Sequence, residues 1–138
     1  MYNDLYNNEI VAYRMYDHQQ TPLVLDTLKE ALERRSYPNG VITHSYQGSI
    51  YTSYAFQAVT EQNLVSSMSR RGNCWDNAVI ESFHSNLKSK KFAYTRFNSL
   101  SNNEVTICVE QYLKDYNKEK IQEKLGYLSP IEYDEKAA

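Results

Sequence analysis

"SMSRRGNCWDNAVIESFHSNLK", residues 67–88, is the stretch on which the reading of this chain turns. Its first residues close a short run, "LVSSMS", that reads as a strand. "RRGNCWD" follows as a loop with a glycine hinge. Asp76 then stands where it can cap a helix running to about Lys90. Ile80, Phe83 and Leu87 share one face of that helix, and Glu81, His84, Ser85 and Lys88 share another, because residues three, four and seven apart stack along a helix. Glu81 sits one turn in, on the polar face. From position alone, a solvated or cation-paired glutamate is the simpler reading.

Outward from this block, strands and helices alternate. "NNEIVAYRMY" predicts a strand over Ile10–Met15 after an "NN" turn. "TPLVLDTLKEALERR" predicts a helix, with Thr21 as its cap and Pro22 in the first turn, where no N–H is needed. Leu25, Leu28 and Leu32 mark its buried face. "VITHS" predicts a short strand buried on both faces. Residues 53–63 read as a helix with Ala55, Phe56 and Val59 on the apolar side. "SNNE", Ser101–Glu104, is a capping box opening a helix through "VTICVEQYLKDY", and "SPIE", Ser129–Glu132, is a second one opening a short last helix. The alternation argues for a layered α/β domain with some parallel pairing. The expected organisation is one domain over 1–138, with an α/β core to about 96 and a helical part from about 97.

The chain has 138 residues, 41% hydrophobic and 23% charged, enough for one domain with a real core. No apolar run approaches the roughly 20 residues a membrane helix needs, and the N-terminus, "MYNDLYNNEI", does not read as a secretory signal. Cys74 and Cys108 lack metal-type spacing and read as free thiols in a reducing cytoplasm. The net charge of −2 argues weakly against nucleic acid, but its distribution matters more. Residues 1–69 and 97–138 each carry net −3, whereas 70–96 carry Arg70, Arg71, Lys88, Lys90, Lys91 and Arg96 against Asp76 and Glu81, net +4. A solvated face explains such a run; so does a local phosphate contact.

"HSYQGSIYTS", residues 44–53, is the second informative stretch. A polar strand end is a common place for catalysis in an α/β sheet, yet its centre is Tyr46. His44 and Ser45 are strand neighbours pointing to opposite faces, so they do not make a nucleophile pair. Trp75 and Tyr54 suit either base stacking or helix-on-sheet packing, with packing the expected role. His18 and His84 read as structural or solvated. Glu81 follows Tyr46 by 35 positions.

"HSYQGSIYTSYAF", residues 67–88 and "LGYLSPIEY" together resemble the integrase core of bacterial insertion-sequence transposases, the OrfB-type members of the Asp-Asp-Glu class, which are similar to retroviral integrases. The resemblance covers nearly the whole chain. It implies an RNase H-like fold, a mixed sheet flanked by helices. It also implies a chemistry in which three carboxylates hold two divalent metals, Mg²⁺ or Mn²⁺, and a DNA phosphodiester is cut and joined. Residue by residue, Glu81 matches the family glutamate and would be the one remaining metal-binding carboxylate. Tyr46 occupies the place of the second aspartate. Lys88 matches a lysine expected to touch DNA phosphate, and Arg70, Arg71 and Lys91 are further candidate DNA contacts. Asp4 matches an aspartate that is not a metal ligand, and Lys90 stands where the family commonly has an acidic residue.

The resemblance further implies that the chain begins inside the family's second strand, leaving the first, central strand and its aspartate without a counterpart. A phenol with a pKa near 10 is neutral at pH 7 and bulkier than Asp, and one glutamate makes a poor site for a hard cation. The expected function is therefore a transposase core that does not cut, with no metal bound. Alternatives are a DNA-binding module, a module that pairs with a full-length transposase and inhibits it, or a fragment with no current function. Without the central strand, two half-sheets with open inner edges are expected. The hairpin then pairs directly with "VITHS", two chains complete each other's sheets as a homodimer, or the fragment folds poorly.

Overall fold

Two residues, Tyr2–Asn3, form β1, and three, Ile10–Ala12, form β2; they pair as a two-stranded sheet. The structure is a computed structural model and describes residues 1–16, 20–36, 38–62, 64–70, 75–92 and 100–138, with the backbone alone at 91 and 92. His18, Arg71, Cys74 and the side chain of Lys91 therefore lie outside the described residues. The turn between β1 and β2 is built from short polar side chains. Asp4 N–H donates to Glu9 O at 2.8 Å, and Tyr6 N–H donates to Asp4 Oδ1 at 2.9 Å, a side-chain mimic of a backbone turn. Asn8 takes φ 59°, a left-handed conformation that Asn tolerates. The strand expected over Ile10–Met15 ends at Ala12 because β1 offers a partner only two residues long.

The chain divides into two units, Met1–Tyr2 with Val11–Ile80, and Asn3–Ile10 with Glu81–Ala138. In the first, α1 runs over Thr21–Arg34, β3 over Val41–Ser45, α2 over Tyr54–Thr60 and β4 over Leu64–Met68. Gln20, not Thr21, is the N-cap of α1, and it makes no side-chain cap bond; the start relies on Pro22. Ser53 caps α2, its hydroxyl accepting from Phe56 N–H. Leu28, Leu32 and Phe56 form the core, with Val24, Leu25, Tyr51, Val59 and Leu64 packed against it. Fully burying a side chain such as Leu28, Leu32 or Phe56 stabilises by about 1.5–3 kcal/mol. Ala55, expected on the apolar side of α2, is exposed.

β3 and β4 pair in parallel, with Ile42 opposite Val65 and His44 opposite Ser67. Paired residues share a face, and side chains alternate along each strand. Leu64 turns toward the core, so Ile42 and Val65 turn the other way. They are 66% and 52% exposed, which corrects the expectation of a strand buried on both faces. The reason is that helices pack on one face only, and nothing among the described residues covers the other. The strands remain two separate pairs, β1–β2 and β3–β4. The hairpin thus does not pair with β3 among the described residues.

The second unit is helical. The 3-10 turn at Trp75–Asn77 and the first residues of α3, Ala78–Leu87, still belong to the first unit; from Glu81 onward α3 belongs to the second and is followed by a π-helical turn at Lys88–Phe92. Asp76 lies inside the 3-10 turn instead of capping the helix, and α3 stops before Lys90. Two further helices are α4, Asn102–Lys118, and α5, Pro130–Ala137. Both predicted capping boxes are present: Ser101 with Glu104, and Ser129 with Glu132. Phe83 of α3 packs edge-on against Tyr116 of α4, ring centroids 4.7 Å apart. The polar residues of the "NN" turn join this unit as well. Asn7 donates to Pro130 O at 3.3 Å and Asn8 to Gln122 Oε1 at 2.9 Å. Asn117 takes both backbone groups of Ile10, accepting from its N–H at 2.9 Å and donating to its O at 3.0 Å. Cys108 in α4 is a free thiol. Among the described residues no helix is long and apolar enough to cross a membrane.

Candidate functional site

The end of β3 is fixed by β4. Past the ladder, Ser69 N–H donates to Ser45 O at 2.8 Å. His44 does not face Ser45; its Nδ1 lies 3.0 Å from Ser67 Oγ, the pairing that the β3–β4 register dictates. The chain then turns tightly, Gly48 N–H donating to Tyr46 O at 2.9 Å. Tyr46 is 53% exposed, but its ring is anchored. Its centroid lies 5.1 Å from Tyr51 in an edge contact, and Tyr51 lies 5.2 Å from Phe56 in the same geometry. An aromatic chain thus runs from the strand end into the core. Burial pushes the Tyr51 phenol above its usual range, and the neighbouring Tyr46 adds to this. Nothing in residue spacing signals this chain, because Tyr46, Tyr51 and Phe56 are brought together by an irregular loop.

Glu81 and Lys88 fall on the exposed side of α3 because Phe83 and Leu87 are buried on the other. Desolvation lowers the His84 imidazole from its ordinary value, Lys88 acts the same way, and Glu81 opposes them. Arg70 is exposed after β4. Asn77 ties the 3-10 turn back to β4's end, its side chain donating to Ser69 Oγ at 3.1 Å. Tyr46 and Arg70 belong to the first unit, Glu81 and Lys88 to the second. Among the described residues no three His, Cys, Asp or Glu side chains are grouped to hold a metal. Tyr54 and Trp75, expected to pack helix on sheet, are instead 86% and 84% exposed.

Comparison with known families matches the Integrase core domain over residues 2–74, more than half of the chain, and a second Integrase core domain family over 63–130. This chain belongs to the integrase core family. The integrase core is 38% identical over 135 residues to a 31 kDa protein of insertion element IS600 from Shigella sonnei, covering 96% of this chain and 49% of that one. It is 34% identical over 133 residues to the transposase for insertion sequence element IS904 from Lactococcus lactis, covering 95% and 52%. The chain thus spans about half the length of these relatives. Among solved structures, the catalytic core domain of BIV integrase superposes with a TM-score of 0.63 at 18% identity, covering 90% of this chain and 77% of that one. That likeness establishes the RNase H-like fold of this integrase core.

Proposed function

We propose that this chain is the integrase core of an insertion-sequence transposase that contacts DNA but does not cut it. The single observation carrying the second half is the setting of Tyr46. A phenol stands where the resemblance calls for a metal-binding carboxylate, and its ring is tied through Tyr51 to the core. A hard divalent cation needs several oxygen ligands, usually including carboxylates. With a neutral phenol at Tyr46 in place of a carboxylate, the residues present do not fit a two-metal site. Glu81 is the remaining carboxylate of the set. Lys88 and Arg70, both exposed, are the phosphate contacts in this reading, together with Arg71 and Lys91 by resemblance.

The test is a nicking assay on supercoiled DNA with Mg²⁺ or Mn²⁺, run beside duplex binding at low salt. Binding without nicking is expected, with the salt dependence shallower in Lys88→Ala. Nicking that disappears in Glu81→Gln would overturn the non-cutting half, and absence of binding the DNA half.

A second reading, pairing with another transposase chain, is favoured by one observation. Ile42 and Val65 lie opposite each other on an uncovered sheet face, and exposed apolar patches of this kind mark association surfaces. Mixing with a full-length relative and measuring mass by light scattering separates it from the first.

A further inference from the structure

The C-terminal end of the second unit is folded around a small cavity. After α4 the chain makes a 3-10 turn at Glu123–Leu125 and doubles back. Gln122 N–H donates to Leu128 O at 3.0 Å, and Tyr127 N–H donates to Gln122 O at 2.9 Å. Two consecutive left-handed residues make the reversal, Gly126 at φ 65° and Tyr127 at φ 63°. The capping box at Ser129 then starts α5 at once. Turn and helix leave a cavity of about 300 Å³ between them, at the lower end of the roughly 300–1,000 Å³ usual for ligand sites.

The lining of this cavity is sorted by charge. Leu125, buried, and Leu128, half-buried, supply an apolar wall. Tyr133 and Lys136 come from one face of α5, since residues three apart are neighbours on a helix. The Tyr133 ring is set by Tyr6, with ring centroids 5.6 Å apart. Lys124 on the turn supplies a second cation. Residues 119–138 carry five Asp or Glu and only three Lys, yet two of those lysines and none of those carboxylates line the cavity. The Glu132 carboxylate is held at the start of α5, accepting from Ser129 N–H at 2.8 Å. Glu135, two positions from Tyr133, falls on the other side of the helix. Among the described residues the two ion pairs found both use Glu30, so neither cavity lysine is matched within the chain.

An apolar wall, one aromatic ring and two unmatched cations complement a nucleotide, whose flat base is flanked by phosphates. Lysines that only follow a duplex backbone need no apolar recess. Paired bases are closed inside a duplex and cannot enter such a recess, whereas an unpaired base can. We infer that this cavity holds one unpaired nucleotide of a DNA strand, its base against Tyr133 and the two leucines and its phosphates on Lys124 and Lys136. None of these residues is among the DNA contacts assigned above. The inference rests on the DNA-contact reading and deepens it, from duplex backbone to a single-stranded end or gap. Stacking of a base on an aromatic ring is tolerant of sequence, so no base preference is expected.

The test is fluorescence anisotropy with the full chain and probes built on one duplex: blunt, with a short single-stranded overhang, and with the same overhang made abasic. The overhang should tighten binding by about tenfold, the order that one stacked base contributes. The abasic overhang carries the same phosphates and should lose most of that gain. Lys124→Gln combined with Lys136→Gln should lose the gain as well while leaving blunt-duplex binding in place. Both side chains are exposed, so this variant tests the site without risk to the fold. Tyr133→Phe keeps the ring and should keep the gain. Lys88→Ala should weaken all probes alike. Equal affinity for blunt and overhang probes would overturn this inference and leave the DNA reading standing, as would a gain that survives in the abasic probe or in the double lysine variant. Absence of binding to every probe at low salt would overturn both. Loss of the overhang gain on adding a short acidic peptide, with blunt-duplex binding intact, would make this an acidic-peptide site and overturn the nucleotide assignment.

Discussion

The ring of Tyr46 lies directly over Gly48: a methyl group at Gly48 would stand 2.5 Å from Tyr46 Cε2 and 3.0 Å from its Cζ. Glycine at this position is thus a requirement of the tyrosine, and the two residues form one packing unit with Tyr51. Gly48→Ala should swing the Tyr46 ring away and forfeit its edge contact with Tyr51, at a cost of about 0.5–1.5 kcal/mol. Tyr46→Ala should cost a similar amount. In urea unfolding the double variant should lose no more than the larger single loss, since both remove the same contact. Full additivity would separate the two residues.

Asn117 is expected to be among the most sensitive polar positions. Its amide satisfies both backbone groups of Ile10, which is buried. Asn117→Ala leaves that N–H and C=O without a partner, at a cost of about 1–3 kcal/mol for each group. Asn117→Asp keeps the acceptor but sets a carboxylate oxygen against the Ile10 carbonyl, so it should be costly at neutral pH and become milder as the pH falls and the carboxyl is protonated.

The two capping boxes give the chain an acid-sensitive margin. The carboxyls of Glu104 and Glu132 are held below their ordinary value, first by the backbone N–H of Ser101 and Ser129 respectively, then by those hydroxyls. A carboxyl depressed in the folded state stabilises above its unfolded pKa, and that contribution is lost as pH falls through the folded pKa. Thermal melts should therefore weaken below about pH 4, and less so in the double variant Glu104→Gln with Glu132→Gln. Ser129→Ala, at a buried cap, should cost about 1 kcal/mol at neutral pH.

The bare face of β3 and β4 should show in solution behaviour. Ile42→Lys places a charge on a side chain that is already exposed, so its effect on stability should stay within about 0.5 kcal/mol. Association measured by light scattering over a concentration series should fall. An unchanged mass distribution would mean that this face is not used.

Much of this architecture is legible in local chemistry. The capping boxes at Ser101 and Ser129 announce α4 and α5 because a Ser and a Glu three residues apart satisfy each other's helix-end groups whatever the tertiary context. The leucines of α1 and the Phe83–Leu87 stripe of α3 announce their buried faces by period. The misreadings are of another kind. Periodicity cannot say whether a β-branched run such as Val41–Ile42 has a second layer over it, so exposure there was not foreseeable. Tyr54 and Trp75 failed for the same reason: aromatic bulk signals burial only when something arrives to cover it. The candidate site was legible as residue types at a spacing. Its packing, Tyr46 on Gly48 and Tyr51, was not, because those contacts depend on an irregular segment.

The Asn117 clamp also sets a clock. It joins residues 107 positions apart, and the second unit is assembled from both extremes of the chain. Chains are synthesised at about 5–20 residues per second. Ile10 therefore emerges on the order of 5–20 s before its partner exists. Through that interval Asn3–Ile10 lack the rest of their unit, while α1, β3, α2 and β4 have everything their own core needs. The order of translation thus favours a chain that folds its middle first and recaptures its beginning last.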